Sequence, residues 1–478
     1  EKLDVRIQQS NAYKWVLLSI IMIGTFMAVL DSTIVNVGIP TIMKAFNIEV
    51  STAEWILTAY MLTMTIMLPT AGWLADKFGN KRVYLLGLLV FTFGSWLCGR
   101  ATSDEFLIGA RAIQGIGGGT VQALGLAIVT REFPLHLRGI ALGIWSVSSA
   151  ASVSFGPMIG GYIIDNYHWT LMFDLNVPIG IAGICAGVFL LKEWKREDMG
   201  IFDWLGFITA AVFMTLTIYA MAHGHSVRNP QGWGSPLVIG SLLIAVSSLI
   251  LFIRTELHHP NPLINIRLLA DRNFATAMIV LLIFGIGLFG GTYMFPMFMQ
   301  RGLGYTALAA GAVFLPVGII QGFSSTITAW LSKLAGTITI VIAGILALAI
   351  SFWMASHFNE NTSHSHIILT LCIRGVGMGL TFAPLNVFSL RNIRKVDMAA
   401  ASGISNSLRQ LSGSISIALL IAVMTMRTEA YNALNPQAGE AESLVHGITD
   451  TFRITFVMTL VSILTFLLFM IKRKPLIT

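Results

Sequence analysis

The feature that most narrows the fold is a series of fourteen apolar runs, each long enough to cross a bilayer and separated by short hydrophilic breaks. They cover 15–37, 53–74, 83–100, 105–129, 138–163, 171–191, 204–222, 236–253, 274–297, 307–331, 337–356, 366–389, 400–426 and 452–471. A helix needs about 20 apolar residues to span the hydrocarbon core, and its backbone must satisfy its own hydrogen bonds there. No run has the short alternation of a barrel strand, so the pattern predicts an all-α membrane protein. Charge agrees: 11% of the 478 residues are charged, where soluble domains average about 25%. The first run, from about Trp15, is too long for a cleaved leader and reads as a span.

Lys and Arg set the expected orientation. With the N-terminus inside, the inner breaks hold 21 of the 30 basic residues. The outer breaks hold Lys44, Arg100, Arg228, Arg301, Arg427 and Arg453, and Arg111, Arg374 and Arg409 fall within spans. Both termini are therefore expected in the cytoplasm. The same scatter explains the net charge of +7 without a nucleic-acid partner. An even span count with both ends on one side suits a two-halved transporter. Arg111-Ala-Ile-Gln-Gly in the fourth span is echoed by Arg374-Gly-Val-Gly in the twelfth, and internal repeats are common in such proteins.

After the second span the chain reads Gly72-Trp-Leu-Ala-Asp76-Lys-Phe-Gly79-Asn-Lys81-Arg82. The glycines permit close approach and a tight turn, and Asp76 stands among cations that keep it ionised. The cluster is either a latch between halves or an ordinary positive-inside loop. Its spacing resembles the cytoplasmic signature of the major facilitator superfamily. Leu30-Asp31-Ser-Thr-Ile-Val-Asn36-Val-Gly-Ile-Pro40 resembles the first-span signature of its drug:proton antiporters with fourteen spans. Gly156-Pro157-Met-Ile-Gly160-Gly161 matches their antiporter motif, and Asn166-Tyr-His-Trp169 through Gly180 resembles the EmrB/QacA subfamily, on its EmrB side. Two departures stand out: Thr170 where the subfamily usually has Arg, and an acid at Asp174 where an uncharged residue is usual. A second-half stretch, Trp330-Leu-Ser-Lys-Leu-Ala-Gly336, copies the latch without its acid or its basic pair.

The resemblance implies a major facilitator fold of 14 transmembrane helices. The cytoplasmic segment 1–14 would lead into a six-helix bundle over 15–191. Two extra helices over 204–253 would precede a second bundle over 274–471 and a cytoplasmic tail 472–478. It further implies a multi-pass protein of the bacterial inner membrane, exporting amphipathic or cationic drugs against the proton gradient, with no other cofactor. Membrane lipids surround it, and a periplasmic adaptor with an outer-membrane channel is the partner set of EmrB-type pumps. Export of a lipid, fatty acid or other endogenous metabolite is the alternative.

Charges at membrane depth form the candidate site, because each is costly there, at least ~2.5–3.5 kcal/mol on insertion scales. Asp31 reads as the only acid well inside a span. It is either a carboxyl that takes up and gives back protons or a structural acid bonded to Asn36 or a neighbouring helix. Arg111 with Gln114 would tune that step or cap carbonyls; Arg374 and Arg409 complete the set. Asp174 either attracts cations at the outer surface or sits in interfacial water. Pro157 removes a helix donor and the glycines around it allow tight crossing, as a seal between halves or as plain packing.

Other chemistries find little support. Cys98, Cys185 and Cys372 are odd in number and lie in apolar runs, so they should be free thiols. The pairs His223/His225 and His364/His366 lack nearby acids and read as loop residues, with no metal expected. No G-x-x-x-x-G-K-[ST] phosphate loop occurs, and no nucleophile–base pair at depth suggests an enzyme. Met is abundant, and Met294, Met297 and Met299 cluster; such side chains serve packing or an adaptable apolar pocket.

Overall fold

A computed structural model describes residues 11–133, 135–195, 201–224, 229, 231–260, 262–394 and 397–471. The tail 472–478, most of the 1–14 segment, His225 and the basic residues Arg196, Arg228 and Lys395 lie outside these. The first bundle runs α1 (Asn11–Phe46), α2 (Val50–Phe78), α3 (Asn80–Cys98), α4 (Asp104–Glu132), α5 (Leu135–Asn166) and α6 (Leu171–Asp174, then Asn176–Leu190). Two further helices follow, α7 (Trp204–His223) and α8 (Pro236–His258). The second bundle runs α9 (Arg272–Met297), α10 (Ala307–Ala312, then Phe314–Ala335), α11 (Thr337–Ala355), α12 (His364–Leu390), α13 (Met398–Leu434) and α14 (Glu440–Ile471). Among the described residues 13 helices have the length and hydropathy of a span. The 32-residue α5 completes the fourteen.

The helices begin where side chains can take over orphan backbone donors. Ser103 Oγ accepts from Phe106 N–H at 3.2 Å, Asp203 Oδ1 from Gly206 N–H at 2.7 Å and Asp271 Oδ1 from Phe274 N–H at 2.9 Å. Two tight reversals use glycine in left-handed backbone: Gly79 at φ 102° between α2 and α3, and Gly336 at φ 84° between α10 and α11. The second-half copy of the latch has therefore lost its acid and its basic pair but kept its turn, because only the turn is needed to reverse the chain.

Packing repeats between the halves. In the first, α4 lies along α2 and α3, α1 along α5, and α3 against α6. In the second, α12 lies along α10 and α11, α9 along α13, and α11 against α14. The halves meet through α2 on α13 and α5 on α10, equivalent pairs under that repeat. Of the extra helices, α7 packs on α2 and α13, and α8 packs on α7. Leu243 and Ile244 of α8 are exposed, as suits a lipid-facing helix. Alternation of the helices gives the bundle a near end, where α1 starts and α14 finishes, and a far end opposite.

Candidate functional site: a buried ion-pair network beside a central cavity

Asp31 sits midway along α1 and Arg111 near the second turn of α4, both with fully buried side chains. Arg111 Nη1 donates to Asp31 Oδ2 and also to Gln114 Oε1 at 2.6 Å. Its Nε donates to the Ile56 carbonyl at 3.1 Å, and its guanidinium lies 4.2 Å from the centre of the Tyr60 ring. Asp31 Oδ1 accepts from Gln114 Nε2 at 2.8 Å and from Asn176 Nδ2 at 3.0 Å. The same two amides donate to Ser95 Oγ, each at 3.0 Å, and Ser95 Oγ donates to the Phe173 carbonyl at 2.9 Å. One carboxylate thus ties together α1, α3, α4 and α6.

Asp31 does not face the central cavity. That cavity, of about 140 Å³, is lined by Ser32, Thr33 and Asn36 of α1 and by Tyr60, Met61 and Met64 of α2. Phe289, Met378, Phe382, Arg409 and Gln410 supply the opposite wall, and Arg111 is the member of the network that reaches the lining. Arg111 Nη2 has no protein partner. The lining is apolar and amide-rich, with two guanidinium groups and no carboxylate among the described residues.

Arg374, half-equivalent to Arg111, is just as buried, but the network does not include it. Its Nη2 donates to the Leu288 carbonyl and to Thr292 Oγ1, the latter at 2.9 Å, and its Nε is unpartnered. Asn36 is not the partner of Asp31: its Nδ2 donates to Ser32 O at 3.1 Å within α1, and it lines the cavity. Asp174 pairs with Arg100 at 2.5 Å, half-exposed at the far end and apart from the network.

Lys81 and Arg82 of the latch cluster turn inward on their own half. Lys81 donates its N–H to Glu193 Oε1 at 3.2 Å and its Nζ to the Val188 carbonyl at 2.6 Å, and Arg82 Nε lies 3.4 Å from Glu193 Oε2. Asn80 and Trp194 exchange two hydrogen bonds, at 3.1 and 2.9 Å. The described bonds of Lys81 and Arg82 therefore join the α2–α3 turn to the end of α6. Asp76, in the last turn of α2, is half-buried and engaged, and Gly72 faces open space.

The antiporter motif splits between two neighbours. Gly156 and Gly160 pack on α1, where a Cβ would come within 3.0 Å of Thr33 Cβ and 2.8 Å of Ile34 Cγ1 respectively. Gly161 instead meets α10 of the other half, where a Cβ would lie 2.6 Å from Leu308 Cα, and Pro157 lies against Gly311. Asp165 adds to the crossing by accepting the Ala307 and Leu308 N–H groups at 3.1 and 2.8 Å. Gln300 Nε2 donates to the Val37 carbonyl at 3.0 Å. The contacts between the halves, those of Gly161, Pro157, Asp165 and Gln300, lie toward the far end, which they hold closed.

Three functional candidates escaped the sequence reading. Glu193 and Asp165 lie in breaks, where acids are unremarkable. Glu54, near the far end of α2, is 2% exposed with Oε1 unpartnered. It looks like a helix-end residue because its run starts at 53, so Asp31 is not the only deeply buried acid. Its one sequence signal is an acid inside an apolar run. All three cysteines are free, and no His/Cys/Asp/Glu group suited to a metal occurs among the described residues.

A sequence profile of the Major Facilitator Superfamily matches residues 21–417. The transporter Rv1250 of Mycobacterium tuberculosis, itself uncharacterized, is 32% identical over 89% of this chain and 74% of its own length. The multidrug export protein EmrB of Escherichia coli K12 is 31% identical over 90% of this chain and 85% of its own. A bacterial homologue of the human lysosomal transporter Spinster shares the fold, with a TM-score of 0.68 at 14% identity, covering 98% of this chain and 100% of that one. With fourteen helices, two repeated bundles and these relatives, the chain belongs to the Major Facilitator Superfamily.

Proposed function

We propose that this transporter exports amphipathic small molecules in exchange for protons, by alternating access. The observation that carries the reading is the buried Asp31–Arg111 pair, whose arginine reaches the cavity lining and keeps Nη2 unpartnered. With Asp31 ionised, Arg111 is drawn back into the wall and the cavity is free for an apolar body. A proton on Asp31 cancels that attraction and releases the guanidinium toward the cavity, where it takes the room and the polar contacts a substrate needs. Proton and substrate then exclude one another, which is the requirement for antiport. Each proton charge crossing the membrane contributes ~2.3 kcal/mol per 100 mV.

Two arginines and no acid on the described lining favour uncharged or anionic amphiphiles over permanent cations. That keeps a fatty acid or similar metabolite as the second reading. The basic-residue count supports cytoplasmic termini, which makes the far end external in an inner membrane. A periplasmic adaptor would dock at that end, and affinity capture of the intact pump tests it.

The main test is substrate-driven proton release in proteoliposomes under an imposed pH gradient. Asp31→Asn, which mimics the protonated carboxyl, should insert yet bind substrate weakly and lose uphill export, while Asp31→Glu should keep part of both. Uphill export by Asp31→Asn at the parent rate would move the proton site elsewhere, with Glu54 the next residue to test. Competition between a fatty acid and a cationic dye of equal apolar size separates the two substrate readings.

A further inference from the structure

Two buried carboxyls outside the transport pathway meet where α7 begins and α8 ends. Asp203 is 3% and Glu256 0% exposed. Each uses one oxygen structurally: Asp203 Oδ1 caps α7, and Glu256 Oε2 accepts the Ile264 N–H at 3.0 Å. Their other oxygens, Asp203 Oδ2 and Glu256 Oε1, have no protein partner. Both oxygens crowd the same face of Gly206. A Cβ on that glycine would lie 2.7 Å from Glu256 Oε1 and closer still to Asp203 Oδ2. One small ion can therefore touch both, and the absent side chain keeps the space open.

No cation among the described residues neutralises them. Neither acid takes part in a described ion pair. Arg267 Nη2 donates to the Leu257 carbonyl at 2.6 Å, and His258 Nδ1 bonds to the Arg254 carbonyl at 2.8 Å. Arg254 itself is exposed, and His259 is engaged. Lys77 of α2 lies over the Trp73 ring at 4.7 Å. Two bare carboxylates in a buried setting repel with little screening, and buried polar atoms are nearly always partnered.

We propose that Asp203 and Glu256 form a binding site for one positive charge, either a proton shared between the two free oxygens or an alkali cation bridging them. A single occupant satisfies both oxygens and removes the repulsion. Its position gives it reach. Glu256 also holds Ile264, on the path from α8 into α9 and the second half. Phe202, next to Asp203, packs on Trp73 of α2 in the first half, with ring centres 4.6 Å apart. Occupancy thus fastens the extra helix pair to both halves at the near end, whatever the substrate.

The test is thermal melting of the full-length protein in detergent, parent against E256Q and D203N. E256Q cancels one charge, keeps the shape, and presents an amide N–H to Asp203 Oδ2. One arm varies pH in buffers free of sodium and potassium. A shared proton stabilises the parent until it is lost as pH rises, so the parent should lose stability with pH more steeply than E256Q. The other arm holds pH alkaline and adds sodium or potassium chloride against choline chloride. A bound alkali cation should raise the melting temperature of the parent and not of E256Q. A divergence in either arm supports the site and identifies its occupant. Parallel curves for parent and variant in both arms overturn it. D203N, which keeps an acceptor for Gly206, answers the same question should E256Q fail to fold.

Discussion

Arg111 carries five N–H donors into a place water does not reach, and the protein answers with acceptors from three helices. Asp31 and Gln114 take Nη1, and the Ile56 carbonyl takes Nε. Removing one member of such a pair strands a buried charge, at about 3–5 kcal/mol. Asp31→Asn and Arg111→Gln should each lower detergent stability markedly. The double variant, with neutral amides on both sides, should lose less than the sum, with a coupling of about 0.5–3 kcal/mol. Additive losses in melting curves would mean that the two side chains act independently. Asp31, Arg111 and Gln114 were legible in the sequence because charged and amide residues are conspicuous in apolar runs. Ser95, Tyr60 and Asn176 were not, since their roles depend on which helices meet. Asn36 was legible as a polar residue of the site, but whether it faced Asp31 or the cavity was not. Five residues turn a helix by about 500°, so Asn36 points well away from Asp31 and onto the cavity.

At the scale of elements, the crossing of α5 and α10 shows how a motif can be recognised while its geometry stays hidden. The glycines of Gly156-Pro157-Met-Ile-Gly160-Gly161 announce close packing, but spacing alone does not say against what. The structure divides them, two toward α1 and one toward α10. At Gly311 a Cβ would lie 3.0 Å from Met158 N and nearer still to the Pro157 carbonyl, backbone that cannot step aside without moving α5. Gly311→Ala should therefore push the halves apart at the far end. A cysteine at Tyr162, which is exposed there, should react faster with a membrane-impermeant maleimide in that background, while leak of the pH gradient rises. Gly160→Ala presses on α1 within the same half, so it should disturb folding more than gating. Equal maleimide rates with and without Gly311→Ala would show that this crossing is not the seal.

The whole molecule is a repeat with unequal halves. The same helix pairings recur in each, and the halves meet through equivalent pairs, α2 with α13 and α5 with α10. The chemistry does not recur. Arg111 has a carboxylate, whereas Arg374 has a carbonyl and a threonine hydroxyl. Span count and the two-halved plan could be read from the sequence because hydrophobic length is a property of one segment at a time. Which end is closed could not, because that depends on contacts between residues far apart in the chain, such as Asp165 with Ala307 and Leu308. Two halves that rock against each other need the far end to open once per cycle, and that contact must then break. Cysteines in place of Asp165 and Leu308, in a background without Cys98, Cys185 and Cys372, provide a direct trial. Joined by a short cleavable bis-thiol reagent, they should stop export almost completely while substrate still binds from the near end. Cleaving the linker should restore transport to the level of the unlinked double variant, and neither single cysteine should respond to the reagent. Continued export with the link in place would mean that substrate leaves without separation of α5 from α10, and the rocking of the halves would have to be abandoned.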